Sequence, residues 1–275
     1  MKIESIKCRV VDFPLEREFH PAWARGRNQA NLLMVLIEVE TDEGITGIGA
    51  AHAGVEAAIR LAGALGVDRV VAMSGCPGAG PDDRTAPHFS GGGWLPELEG
   101  IADWQWRERV APYWTELAAF AQAEHPQLLI CFELHPGTFV YNFETFRRIR
   151  TLGPNLGVNF DPSHFFWQSM DPLALAGEMG ESIGHVHGKD TTLHSQHIAL
   201  NGVLDNRWPN PPEQMPWNFA TVGRGHDLEW WGRPVAVLRD KGFAGTISIE
   251  YEDPFVPVDE SVLESARLLA ALTRD

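Results

Sequence analysis

Read for the spacing of apolar and polar side chains, the chain changes character near Gly54. Before that point Lys2 to Val11 alternates, Leu32 to Glu40 is an apolar run that passes into alternation, and Ile45 to Ala50 is a third short run. Period-two patterning marks strands half buried on one face, and Thr41-Asp42-Glu43-Gly44 is turn chemistry between the second run and the third. Residues 1–54 therefore predict a three-stranded antiparallel β-meander with a longer loop around Pro21 to Asn28.

From Val55 onward helical and strand patterns take turns. VEAAIRLAGALG reads as a helix ending at Gly66 and VDRVVAMSG as a buried strand; WRERVAPYWTELAAFAQAE is a helix and LLICFELH a strand. FETFRRIRTLG leads to the strand GVNFDP, and PLALAGEMG to IGHVHGKD. After a long loop rich in Pro, Asn and Trp, a helix around LEWWGRPVAVLRDKG leads to GTISIEYEDP. This alternation implies parallel strands joined by right-handed crossovers, an α/β architecture. Five strands are clear and a sixth, before Gly223, is poorly defined, too few to close an eight-stranded barrel.

Polar residues on these strands carry the chemistry. Glu133, Asp161, His187 and Glu250 each stand at the C-terminal end of an otherwise apolar strand, and in an α/β barrel those ends converge on the face where sites are built. One such carboxylate alone is ordinarily a helix cap or a loop ion pair. A Glu, Asp, His, Glu series on four strands needs four coincidences to be read that way. Three carboxylates and an imidazole form a hard, oxygen-rich set for one divalent ion, suited to Mn²⁺, Mg²⁺ or Co²⁺, with Zn²⁺ also admitted.

Composition then excludes classes. At 275 residues the chain has the size of a single barrel, and no apolar run reaches the ~18 residues of a membrane span. MKIESIKCRVVDF lacks the basic-then-apolar form of a secretory leader, so a cytoplasmic location is expected. Cys8, Cys76 and Cys131, odd in number and without C-x-x-C spacing, read as buried small hydrophobes. With 22 basic and 37 acidic residues the net charge is −15, which opposes phosphate backbones and anionic membrane surfaces as partners.

The blocks FELHPG (132–137), NFDPSH (159–164), HVHGKD (185–190), LNGVLD (200–205), TVGRGHD (221–227) and ISIEYEDP (247–254) resemble the sugar phosphate isomerase/epimerase family of xylose isomerase-like barrels, over about residues 55–275. The resemblance implies one divalent metal on Glu133, Asp161, His187 and Glu250, and an aldose-ketose isomerase or ketose epimerase acting on a small carbohydrate. It also implies that His135, His164 and Lys189 line the same mouth, with Asn201 and His226 as further substrate-binding candidates. In such chemistry a proton alpha to a carbonyl is removed and a cation stabilises the ene-diolate. Glu133 and Glu250 are the candidate acid-base groups: from opposite faces they invert a carbon, whereas one group shuttling the proton yields a 1,2-isomer. His185 reads equally as a core or a supporting group. Trp208 and Trp217 read equally as a sugar-stacking wall or a loop plug. The stretch from Gly75 to Gly93 has neither P-loop nor Rossmann spacing and reads as a mobile loop.

MKIESIKCRVVDFPLEREF and NLLMVLIEVETDEGITGIGAA resemble the start of the capping domain of the mandelate racemase and muconate lactonizing enzymes of the enolase superfamily, without the K-x-K pair of that group's chemistry. The chain then reads as a chimera: a meander over 1–54 and, over 55–275, a truncated isomerase-like barrel lacking its first two strands. Uncovered positions among Leu33, Val35, Ile37 and Val39, together with an open barrel edge, predict a homo-oligomer. Three other readings stay open. One is a catalytically impaired chimera that holds metal without a complete pocket; another is a sugar dehydratase that starts from the same proton abstraction. The third, an apurinic-site endonuclease on the same barrel, needs further histidines and is opposed by the charge.

Overall fold

The structure is a computed structural model that describes residues 3–19, 29–42, 46–50, 55–82, 100–205 and 212–273. The expected loop at Pro21 to Asn28, Glu43-Gly44 of the expected turn, the glycines 91–93 and Trp208 lie outside the described residues. The side chains of Cys8, Leu33, Val35, Ile37 and Val39 lie outside them as well. The chain divides into two compact units, Met1–Val70 with Phe120–Leu128, and Val71–Ala119 with Leu129–Asp275.

In the first unit β1 (Ile3–Phe19), β2 (Gln29–Thr41) and β3 (Thr46–Ala50) form an antiparallel sheet in that order, with Val10 opposite Val35 and Val39 opposite Gly47. Helix α1 (Val55–Leu65) follows, burying Ile59 and Ala62. It stops at Gly66, whose φ of 68° is the left-handed conformation that ends helices without a Cβ penalty. Arg60 on its exposed side pairs with Glu124 at 3.1 Å.

The second unit is built on a sheet in the order β10-β7-β6-β5-β4. Its members are β4 (Arg69–Ala72), β5 (Leu129–Glu133), β6 (Leu156–Phe160), β7 (Ile183–Gly188) and β10 (Ile247–Ile249). Strands β5, β6, β7 and β10 pair in parallel. The result is an α/β fold whose parallel sheet is an incomplete barrel, with β4 and β10 at its edges among the described strands. The remaining strands, β8 (Asp190–Leu193) and β9 (Trp217–Ala220), form a separate antiparallel ribbon. The sixth strand expected before Gly223 is thus β9, and it pairs with the segment that continues β7 instead of joining the parallel sheet.

The crossovers are helical. They comprise α2 (Ile101–Gln105), a wide turn at Trp106–Val110, α3 (Ala111–Glu124), α4 (Phe143–Arg150), the single turn α5 (Ser163–Phe166), α6 (Pro172–Met179) and α8 (Leu228–Asp240), while α7 (Ser195–Asn201) joins β8 to β9 and α9 (Val258–Thr273) follows β10. Side-chain caps start several of them: Asn142 and Thr145 cap α4 reciprocally, Asp171 accepts from the Leu173 N–H at the head of α6, and Asp227 from the Trp230 N–H in α8. Helix α9 is absent from the pattern-based reading. Its buried line is Ser261, Ser265 and Leu269, so the hydroxyls face inward and the apolar stripe that announces most helices is broken. Those hydroxyls are used: Ser261 Oγ and Thr221 Oγ1 are hydrogen-bonded at 2.8 Å, and the Val222 N–H donates to Ser265 Oγ at 3.2 Å.

The core lies between sheet and helices, with Ile130, Phe132, Val158 and Phe160 buried from the strands and Trp114, Ile149 and Phe165 from the helices. Trp114 meets Phe132 edge to face at 4.5 Å. Gly157 is required by close approach: a Cβ there would lie 2.6 Å from Leu129 Cδ2 and 2.7 Å from the Ser182 carbonyl. Cys131 is buried as expected for a small hydrophobe, whereas Cys76 is exposed, against expectation, because it follows the end of β4 in open chain.

Asp190, fully buried at the head of β8, organises the loops that follow the sheet. Its Oδ1 accepts from the Thr191 N–H at 2.8 Å and lies 2.7 Å from His226 Nδ1. Its Oδ2 accepts from the backbone N–H groups of Gly223, Gly225 and His226 and from Trp231 Nε1. Truncation to alanine strands these donors, and an unpaired buried donor costs ~1–3 kcal/mol. Asp190→Ala is expected to lower unfolding free energy by about 3 kcal/mol or more, measured as a shift of the urea midpoint at unchanged slope; a shift below about 1 kcal/mol would refute this role.

Candidate metal centre

Pleat parity sets the site. In parallel pairs, residues level with one another share a face, and Glu133 is level with Asn159, Asn159 with His185, and His187 with Ser248. Along β7 the residues alternate. Gly188 turns toward α9, where a Cβ would lie 2.7 Å from Leu269 Cδ1, and His185 and His187 fall on the opposite face. One step past β6 the chain bends at Pro162 into α5, and the Ser163 N–H donates to Asp161 Oδ1 at 2.9 Å. That bond fixes the carboxylate and leaves Oδ2 facing the strand ends.

Four of the predicted groups meet there. Glu133, Asp161, His187 and Glu250 each offer a ligand atom, all within 4.8 Å of one another. His187 Nδ1 is central, 3.5 Å from Glu133 Oε2, 3.4 Å from Asp161 Oδ2 and 3.0 Å from Glu250 Oε2. Asp161 is 1% exposed and its Oδ2 is buried without an aligned hydrogen bond, which is unusual for a carboxylate and suits a metal ligand. The donor set and this orphaned oxygen fit a divalent cation held by Glu133, Asp161, His187 and Glu250.

Lys189 is 2% exposed and joins the cluster from beyond β7, its Nζ 3.2 Å from Glu250 Oε2 and 3.1 Å from Glu252 Oε2. Its ammonium also lies 4.0 Å from the centroid of Phe219. His164 Nε2 is 3.0 Å from Glu133 Oε1, and its ring meets His135 edge-on at 4.5 Å and Phe219 at 5.4 Å. Beyond Phe219 the aromatic surface continues through Trp217 at 5.3 Å to Trp167, which stacks on Trp217 at 4.7 Å. His185 is a supporting group, with Nε2 2.8 Å from Ser248 Oγ. Two candidates fall elsewhere. Asn201 ends α7 exposed, and His226 is held by Asp190 and stacked on Phe166 at 3.9 Å, so neither belongs to the ligand cluster.

Pattern reading missed three groups. Asn159, wholly buried, puts its Nδ2 3.5 Å from Glu133 Oε2 and about equally near both nitrogens of His187. It is a polar residue on an apolar strand two positions before Asp161, so the rule that singled out Asp161 applies to it as well. Glu252 and Phe219 carry no comparable signal, since each depends on where Lys189 points.

Burial pulls the His187 imidazole down, but the Asp161 and Glu250 carboxylates that face its N–H outweigh it and raise its pKa to about 10. Burial pushes the Asp161 carboxyl up, yet His164, His187 and Lys189 together hold it well below the usual carboxylate range. Glu250 is likewise lowered despite burial, by the His187 hydrogen bond and the Lys189 charge. Burial raises Glu252, with Lys189 opposing.

An α/β fold with an incomplete parallel barrel and a three-carboxylate, one-imidazole cluster at its strand ends defines the class of protein. Residues 41–272 match the model of the Xylose isomerase-like TIM barrel family, and the chain belongs to that family. YfiH of Bacillus subtilis strain 168, an uncharacterized protein, is 36% identical over 225 residues, 81% of this chain and 72% of that protein. Among solved structures, the probable 3-DHS dehydratase AsbF of Bacillus anthracis, involved in petrobactin synthesis, is similar at a TM-score of 0.52 and 14% identity, covering 80% of this chain and 69% of that one. At that identity the likeness concerns the fold. The family match begins at residue 41, within the expected meander, and the resemblance of residues 1–54 to an enolase-superfamily cap finds no support among these similarities. No helix among the described residues is long and apolar enough to cross a membrane.

A cation that uses His187 must displace its proton, because the ligand form of imidazole is neutral. With His187 protonated up to about pH 10, affinity for Mn²⁺ is expected to rise about tenfold per pH unit between pH 6 and 8. Calorimetric titration in buffers of different ionisation enthalpy reads the released proton directly, and a pH-independent affinity would refute the linkage.

Proposed function

We propose that this chain is a divalent-metal-dependent isomerase or epimerase of a sugar or sugar phosphate that works by proton abstraction alpha to a carbonyl. The observation that carries the reading is the convergence of Glu133, Asp161, His187 and Glu250 within 4.8 Å at the ends of parallel strands. A divalent ion on that set supplies positive charge beside the substrate oxygens on which negative charge develops. The oxygen-rich donors favour Mn²⁺, Mg²⁺ or Co²⁺.

The chain's own residues divide the remaining work. The Glu250 side chain is 34% exposed against 6% for Glu133, so Glu250 is the more accessible carboxylate for a substrate C–H. Glu133, with His164 on Oε1 and His187 near Oε2, is the more fixed and would serve the opposite face. Lys189 and His164 offer N–H donors to sugar oxygens, and the Phe219–Trp217–Trp167 surface offers an apolar wall for the C–H face of a sugar ring. His135 belongs to the same mouth by its contact with His164, whereas Asn201 and His226 would need substrate atoms beyond the ligand cluster. The same α-proton removal also begins a dehydration, which keeps a sugar dehydratase as the second reading, favoured by the fold likeness to a probable dehydratase. On the same reading the chain self-associates through its exposed N-terminal sheet or its open barrel edge, and residues 1–54 share an origin with an enolase-superfamily cap.

The test is exchange of a substrate C–H proton with solvent deuterium across a panel of ketoses, aldoses and their phosphates, with Mn²⁺ added. Exchange is expected in the parent, with a loss of about 10²–10⁴-fold in Glu250→Gln and in Glu133→Gln. Absence of exchange throughout the panel in a folded, metal-loaded parent would overturn the reading.

A further inference from the structure

We infer that the open cavity at the head of α8 is a second carbohydrate-binding site, which holds a neutral sugar through His226, Glu229, Trp230 and Arg233 and takes no part in proton abstraction. The cavity measures about 390 Å³ and is lined by Gly225, His226, Asp227, Glu229, Trp230 and Arg233. No member of the ligand cluster is among them.

His226 sets the chemistry of this cavity. The buried Asp190 carboxylate accepts from the backbone N–H groups of Thr191, Gly223, Gly225 and His226 and from the Trp231 indole, so the loop anchor is filled without any imidazole. His226 Nδ1 nevertheless stands 2.7 Å from Asp190 Oδ1, and opposite a group that acts as an acceptor this nitrogen carries the hydrogen. The ring rests on Phe166 at 3.9 Å and beside Trp230 at 4.7 Å, and these two lie 4.9 Å apart, so its plane is fixed. The His226 side chain is 23% exposed. With Nδ1 turned to a buried partner, it offers the cavity its Nε2 side, a lone pair that accepts a hydroxyl hydrogen.

The rest of the lining selects the ligand. Glu229, Trp230 and Arg233 stand three and four residues apart on α8 and share one face. That spacing ordinarily pairs a glutamate with an arginine, yet among the described residues neither the Glu229 nor the Arg233 side chain has a hydrogen-bond or ion-pair partner. Glu229 and Asp227 oppose an anion, and Arg233 opposes a cation. A neutral polyhydroxyl ligand meets neither penalty, because each hydroxyl both donates and accepts: it gives to Glu229 and to His226 Nε2, and receives from Arg233. Trp230 supplies apolar surface for the C–H groups of the ring. The volume falls at the lower end of the ~300–1,000 Å³ of small-molecule sites, which suits one sugar ring rather than a chain.

The site is tested on the metal-free protein with methyl β-D-glucopyranoside and methyl β-D-galactopyranoside. Neither carries a carbonyl, so neither is a substrate for proton abstraction; inorganic phosphate is the anionic control. Saturation-transfer NMR reads the dissociation constant, and a long-range ¹H–¹⁵N spectrum reads the His226 ring nitrogens. A ligand of this size is expected to bind at about 1–10 mM and to move the His226 Nε2 resonance. Glu229→Ala and Arg233→Ala, both at exposed helix positions, are each expected to weaken binding about tenfold or more. Both variants should leave deuterium exchange on the ketose panel unchanged, so failure of this site and failure of the proposed function are read separately. Absence of binding by both glycosides up to about 100 mM, binding that either variant leaves undiminished, or binding of phosphate in preference to the glycosides would overturn the inference. A raised KM for exchange in Arg233→Ala would also overturn it, by making the cavity part of the substrate mouth.

Discussion

Glu133, Asp161, Glu250 and Glu252 bring four carboxyl groups to the ends of neighbouring strands, where at an effective dielectric of ~20 two such charges 4 Å apart repel by about 4 kcal/mol. Lys189 and the protonated His187 offset that repulsion from within. The arrangement does not stabilise the fold as hydrophobic packing does, since desolvating charges costs about what their pairing returns. It makes the strand ends a place where positive charge is favoured. A chain of net charge −15 with few lysines has placed one of them, 2% exposed, at this spot.

The scaffold that tolerates such a cluster is the strand pleat. His185, His187 and Lys189 follow one parity, and Gly188 and Asp190 the other. In the first series His187 and Lys189 meet the carboxylates, and His185 meets Ser248. The second meets the shell, Gly188 against Leu269 of α9 and Asp190 against the backbone of Gly223, Gly225 and His226. One strand therefore sends adjacent residues to the charge cluster and to the loop anchor, and a slip of one residue would exchange them.

This parity explains what was legible in the sequence. The helix-strand alternation after Val55 and the ligand types at the ends of β5, β6, β7 and β10 are both visible, because buried strands are apolar and a polar residue on one stands out. Asn159 obeyed the same rule and was readable. His226 was not readable as a loop anchor, since a histidine that follows a Gly-Arg-Gly turn looks the same whether it faces a substrate or a buried aspartate such as Asp190. Helix α9 hid behind its inward serines, whose partners Thr221 and Val222 lie about 40 residues away in sequence. Strand β9 carries a strand-like pattern, but no local pattern says whether such a strand joins a parallel sheet or turns back on β8.

Glu250 and Glu252 show how far one short segment separates like groups. Both pair with Lys189, at 3.2 and 3.1 Å, yet His187 draws Glu250 further toward the ionised form while burial pushes Glu252 toward the neutral one. Their environments therefore drive two neighbouring carboxyls apart in proton affinity. The lysine between them links the two, because one ammonium is shared by both carboxyl groups. The basicity of the accessible carboxylate is therefore a property of the Glu250–Lys189–Glu252 group, with His187 on its far side, and not of Glu250 alone.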